Sequence, residues 1–145
     1  MKIITKSALF FCFLFVACLS VQAQNTLLDS LKKELTIQVQ KDTSRVLLLN
    51  HIANKSYGVN QAQLKEYAEK GKILANEIGF IIGEARSWYL IGVYHLSAGD
   101  LDNAETAIAN SLELYSSGNN ITGISSCYSL MGTLNRFKGK YDQSV

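Results

Sequence analysis

Apolar residues recur every three or four positions along most of this chain, and no stretch alternates in the manner of a half-buried strand. Leu27, Leu28, Leu31 and Leu35 fall on one side of a helix expected over Leu27–Val39, with Lys32, Lys33 and Glu34 opposite. Val46, Leu49, Ile52 and Ala53 share a face in Ser44–Tyr57, and Leu64, Tyr67, Ala68, Ile73, Leu74 and Ala75 keep the same rhythm in Gln61–Ile78. Further helices are expected over Gly83–Ser97, Leu101–Tyr115 and Thr122–Phe137. The breaks fall at Gln40–Asp42, Gly58–Asn60, Gly79–Gly83, Ala98–Asp100, Gly118–Gly123 and Gly139–Tyr141. Gly79 suits a left-handed helix stop. Asp42 or Thr43 can cap the helix that follows, as can Asp100, and no proline interrupts any of them. The expected class is all-α, with consecutive helices paired as antiparallel hairpins.

The pattern also repeats. Gly83–Asp102 falls on Gly123–Asp142 at a shift of 40 residues, placing Trp88 on Tyr128, Gly92 on Gly132 and Gly99 on Gly139. A weaker first copy aligns its second helix at the same shift, Gly71 on Ser111. Its first helix aligns better at 39, which brings Ala53 to the Gly92 position. A glycine inside a helix costs about 0.5–1 kcal/mol relative to alanine, so Gly92 and Gly132 point to partner helices that come close. Trp88 and Tyr128, four residues earlier, would fill the adjacent gaps.

These residues resemble the tetratricopeptide repeat family. The middle copy supplies Trp88, Ile91-Gly92, Gly99-Asp100-Leu101 and Ala104, with His95 where the motif has tyrosine; the third supplies Tyr128, Met131-Gly132 and Gly139-Lys140-Tyr141, with Ser144 in place of Ala104. The repeat-closing proline of the family is absent. The resemblance implies a solenoid of about two and a half repeats, divided as 43–80, 83–119 and an incomplete 122–145. It assigns packing roles to Trp88, Gly92, Gly99, Ala104, Tyr128, Gly132 and Gly139. It further implies a groove lined by the first helix of each pair: Asn50, Asn54 and Tyr57; then Arg86, Tyr89, Val93 and Leu96; then Ser129, Thr133, Arg136 and Phe137. The carboxylate-clamp branch of the family is not matched, because Tyr89, Leu90 and Val93 stand where lysine and asparagine are needed.

The first 23 residues read differently from the rest. Lys2 and Lys6 precede the uncharged run Ala8–Leu19, and Val21-Gln22-Ala23 offers a cleavage point before Gln24, the three parts of a secretory signal. Phe15-Val16-Ala17-Cys18 is an alternative lipoprotein box, with lipidation at Cys18. Residues 24–42 then form a leader helix and linker. Of 14 Lys+Arg and 12 Asp+Glu, only Lys2 and Lys6 leave with the signal, so the mature chain is neutral. Neutrality argues against nucleic acid as a partner and leaves membrane attachment to an uncleaved or lipidated N-terminus or to a part beyond Val145. Cys12 and Cys18 also leave, and the remaining Cys127 sits on an apolar helical face as a small core residue rather than a nucleophile.

Candidate chemistry is sparse. His51 and His95 are the only histidines, and no metal-ligand, nucleophile-elbow or phosphate-loop motif occurs. The expectation is therefore a non-catalytic, exported protein-interaction module without cofactor or metal, whose partner is a protein or peptide. Its leader and repeats are similar to the extracytoplasmic repeats that precede bacterial sensor kinases and regulators, which suggests the N-terminal part of a longer signalling protein. A free-standing periplasmic scaffold or lipoprotein, or a regulatory head on an enzyme beyond Val145, are the alternatives. The chain stops where a second helix of the third pair is expected, which leaves a face open to a homodimer.

Overall fold

A computed structural model of the chain describes residues 26–142, with side chains to residue 139. The signal segment, the cleavage and lipidation points at Ala23 and Cys18, and Ser144 and Val145 lie outside the described residues. Within them all regular structure is helical. Helix α1 covers 26–37, followed by α2 (Thr43–Ser56), α3 (Gln61–Glu77), α4 (Ile81–Ser97), α5 (Leu101–Ser117) and α6 (Ile121–Asp142). None of these is long and apolar enough to cross a membrane.

Short polar side chains set most of the helix starts. The Asp42, Asn60, Asp100 and Asn120 Oδ1 atoms accept the backbone N–H of Arg45, Gln63, Asn103 and Gly123, at 2.9, 3.0, 3.3 and 2.7 Å. Each satisfies a donor that the first turn of a helix leaves orphaned. Helix α4 lacks such a cap. Phe80 instead folds its ring over Gly83, beside Val46. Gly83 and Gly123 are therefore not linkers, as expected, but buried first-turn residues of α4 and α6. The stops use the left-handed region at Gly79 (φ 69°) and Gly99 (φ 76°), whereas after α5 the residue that takes it is Asn119 (φ 50°).

Connections of three or four residues turn each of α3 to α6 back on the helix before it. Helix α4 meets α2, α3, α5 and α6, whereas α3 and α5 do not meet. Thus α2, α4 and α6 form one layer, and α3 and α5 sit over its seams. One core cluster joins Ala53, Leu64, Ala68, Leu90, Ile91 and Ala107; a second joins Ala85, Leu96, Ala104, Ile108, Tyr115, Cys127 and Leu134. Trp88 packs against the first at half burial. Helix α1 closes the N-terminal end, burying Leu28 and Leu31 on Leu48 and Ile52. The Arg45 guanidinium ties it down by donating to the Leu35 and Gln38 carbonyls. Ile73, expected inside, is 56% exposed.

Where layers meet, the seams are closed by small polar groups. Ser87 Oγ donates to Asn50 Oδ1 (2.8 Å), and Asn50 Nδ2 donates to the Gly83 carbonyl (2.9 Å). Gly71 of α3 lies against both side chains. Forty residues on, Ser111 Oγ donates to the Ala85 carbonyl (2.8 Å) and lies 3.3 Å from Cys127 Sγ. Ser111 stands where Gly71 stood and Cys127 where Ser87 stood. The same three-helix junction is built twice.

Three expectations for the third copy do not hold. Helix α6 runs through Gly139 and Lys140 to Asp142, where a turn was expected. Gly132 and Gly139 meet nothing within 4 Å, and Tyr128 is 60% exposed. The reason is common to all three. No described helix folds back over this face of α6, so extending the helix adds a backbone hydrogen bond per residue with nothing to oppose it. Gly99 likewise packs against nothing and serves only its turn.

Gly92 is the true close approach. A Cβ there would lie 3.0 Å from Ile108 Cγ1, 3.6 Å from the Ile108 nitrogen and 3.7 Å from the Ala104 carbonyl oxygen. Gly92→Leu is expected to overpack α4 against α5 and destabilise the fold by about 1–3 kcal/mol. Gly132→Ala, on an open helical surface, should stabilise by about 0.5–1 kcal/mol. Chemical denaturation of the two variants checks both signs; equal behaviour would refute the assigned seam.

Candidate functional site

The layer of α2, α4 and α6 is concave. Its three helices, with the α4–α5 turn, wall a cleft of about 640 Å³. Asn54 and Tyr57 enter from the end of α2; Tyr89, Leu90, Val93, Leu96 and Ser97 from α4; Ala98, Gly99 and Leu101 from the turn; Leu130, Thr133 and Phe137 from α6. A four-residue advance along a helix returns to nearly the same face, which is how Tyr89, Val93 and Ser97, or Thr133 and Phe137, come to share a wall. The cleft is apolar and aromatic below, with amide and hydroxyl groups at its edges and no charged side chain in its lining.

Of the residues expected to line a groove, Asn54, Tyr57, Tyr89, Val93, Leu96, Thr133 and Phe137 are brought together here. Arg86 lies alongside rather than within. Its Nη2 donates to Asn54 Oδ1 at 3.1 Å, and its guanidinium carbon is 4.9 Å from the Tyr89 ring centroid. Arg136 projects from the exposed side of α6 and donates to Thr133 Oγ1 at 3.1 Å. Ser129 is exposed and outside the cleft; its carbonyl accepts the Thr133 hydroxyl.

Asn50 is a correction. It is 4% exposed and belongs to the α2–α3–α4 junction, not to a binding face. The helical wheel could not separate it from Asn54, because α4 crosses α2 close enough at Gly83 to bury the one and not the other. Leu90, Ser97, Ala98, Gly99, Leu101 and Leu130 line the cleft although the sequence reading did not place them in a groove. Leu101 opens α5 at the mouth of the cleft, and Leu130 also packs partly on the Ile108–Leu134 cluster.

Asp100, below the α4–α5 turn, is held under the usual carboxylate range by the Asn103 side chain and backbone and by His95. His95 Nδ1 lies 3.0 Å from Asp100 Oδ2, so the histidine fastens the turn. Among the described residues no group of His, Cys, Asp and Glu is arranged to hold a metal ion.

Behind the cleft wall, burial pushes the Cys127 thiol up, opposed by the Ser111 hydroxyl and by Arg86. Burial also pushes Tyr115 up, and again Arg86 opposes it. Both raised groups favour the folded state while neutral. Their contribution is complete below pH 9.0, the free-thiol value, and is lost as pH climbs toward the raised values. Urea titrations should therefore show stability falling above pH 9.0, and falling less steeply in Cys127→Ser, which cannot ionise there. With the labelled site mapped by peptide mass spectrometry, a thiol reagent should modify Cys127 slowly in the native protein and at once in the unfolded chain. Prompt labelling of Cys127 in the native state would contradict its burial.

No protein-family model matches the chain, and neither a curated protein nor a solved structure matches it.

Proposed function

We propose that this chain is an exported protein-interaction module, its helices paired as tetratricopeptide-like hairpins stacked into a short solenoid, and that the cleft on α2, α4 and α6 receives a segment of another protein. The observation that carries the reading is the cleft itself. Three successive first helices place Tyr57, Tyr89 and Phe137 around one cavity of about 640 Å³. Aromatic side chains with two rotatable angles, set beside amides and hydroxyls, give large contact area at low entropic cost. The repeated junctions at Ser87 and Cys127, forty residues apart on equivalent seams, support the stacked-hairpin reading. The three-part leader of residues 1–23 supports export, and on that reading the setting is the envelope of a bacterium and the role is signalling or scaffolding.

Affinity capture from cell-envelope extract, quantified by mass spectrometry, tests this. Tyr89→Ala and Phe137→Ala should each lose the captured partner, whereas Glu113→Ala on the opposite layer should not. Recovery that is unchanged in both cleft variants would remove the cleft from the function. N-terminal sequencing of the exported protein is expected to begin at Gln24.

A further inference from the structure

We propose that the segment held in this cleft is acidic, with an apolar side chain filling the cavity and a carboxylate seated on Arg86. The proposal rests on the reading of the cleft as a protein-binding site.

Arg86 is half-buried on α4, and every group that touches it is neutral: the Asn54 amide and the Tyr115 phenol, both hydrogen-bonded to it, and the Tyr89 ring. Among the described residues no carboxylate lies within ion-pair distance of it. A guanidinium offers five N–H donors in a rigid fork, of which Asn54 and Tyr115 take up only part. A cation already partly withdrawn from water gains more from an arriving anion than an exposed one does. The Tyr89 ring and Asn54 also hold the fork in place, so little side-chain freedom is left to lose on binding. On α6, Arg136 repeats the arrangement at the surface, bonded to the Thr133 hydroxyl and to no acid. Two guanidiniums thus stand beside a cavity whose own lining is uncharged.

The net neutrality of the mature chain hides a division of charge that follows the layers. Up to residue 139, helices α2, α4 and α6 carry five Lys and Arg (Arg45, Lys55, Arg86, Arg136 and Lys138) against one acid, Glu84; Arg45 is taken up by the α1 carbonyls and Lys138 pairs with Glu105 of α5. Glu84 is engaged by the Asn76 amide at 3.3 Å. Helices α3 and α5 carry six acids against three lysines, and two of those lysines are paired along α3 itself. What this layer leaves beside the cleft is Arg86 and Arg136, neither paired with an acid among the described residues, and these favour an acidic segment there. A nucleic acid is the poorer fit. Its phosphates call for a continuous cationic track, whereas here the cations are isolated points flanking an apolar cavity.

The test is selection of a phage-displayed library of random linear peptides on the folded chain, followed by fluorescence anisotropy with the enriched peptides. The expected binders carry Asp or Glu beside Leu or Phe. Their affinity should fall with salt and should drop roughly 10- to 100-fold in Arg86→Gln, the range of a charge-assisted hydrogen bond. Arg86→Lys should recover part of the loss, and Lys70→Gln on the outer layer none of it; unchanged thermal unfolding separates these effects from misfolding. Neutral or basic binders that are lost in Tyr89→Ala would overturn the acidic partner and leave the cleft standing. Binders indifferent to Tyr89→Ala, or none at all, would overturn both. A single-stranded oligonucleotide that binds more tightly than the peptides, in an Arg86-dependent way, would assign the site to nucleic acid. A concentration-dependent dimer broken by Arg86→Gln would assign it to a second copy of the chain.

Discussion

Helix α4 has to be covered by four other helices, and the rest of the structure follows from how it meets that demand. A helix with four neighbours cannot carry large side chains at every seam, because bulk there would hold the neighbours apart. Its seams are made instead from small residues. Gly83 and Ser87 admit α2 and α3, Ala85 lies under the Ser111 hydroxyl, and Gly92 lets α5 come within contact of its backbone. Leu90, Ile91 and Leu96 then fill what remains. Close approach also buries backbone carbonyls, and those of Gly83 and Ala85 are met by Asn50, Ser87 and Ser111. Each buried polar group there has a partner, which is what makes such seams stable rather than costly.

The cleft is a consequence of the same packing. With α3 and α5 over the seams of the α2–α4–α6 layer, no helix among the described residues covers the side where the cleft lies. Tyr57, Tyr89, Val93, Thr133 and Phe137 are left there by default of position. The α4–α5 turn, fastened by His95 and Asp100, supplies the rim. That turn links fold and site directly, because the aspartate that starts α5 also fixes the height of the cleft wall at Gly99 and Leu101.

The third copy marks where sequence similarity and structure part. Gly132 matches Gly92 residue for residue, yet one is open and the other carries a helix at van der Waals distance. Tyr128 matches Trp88 and is mostly exposed. An internal repeat transmits the capacity to pack, and a neighbour is still needed to use it.

The helical content, the breaks at Gly58, Gly79 and Gly99, the capping by Asp42 and Asp100 and the forty-residue echo were legible from residue type and spacing, because they depend on interactions within a few residues along the chain. Most of the cleft was legible too, since one face of an amphipathic helix can be read from its period and the resemblance indicated which helices to read. What spacing could not decide was which of two residues on adjoining faces a crossing helix would cover. That is why Asn50 lies buried while Asn54 lines the cleft, why Arg86 lacks an acid, and why Gly132 lies open. Those outcomes depend on contacts between residues more than thirty positions apart, or on the absence of such contacts, and only the packed helices determine them.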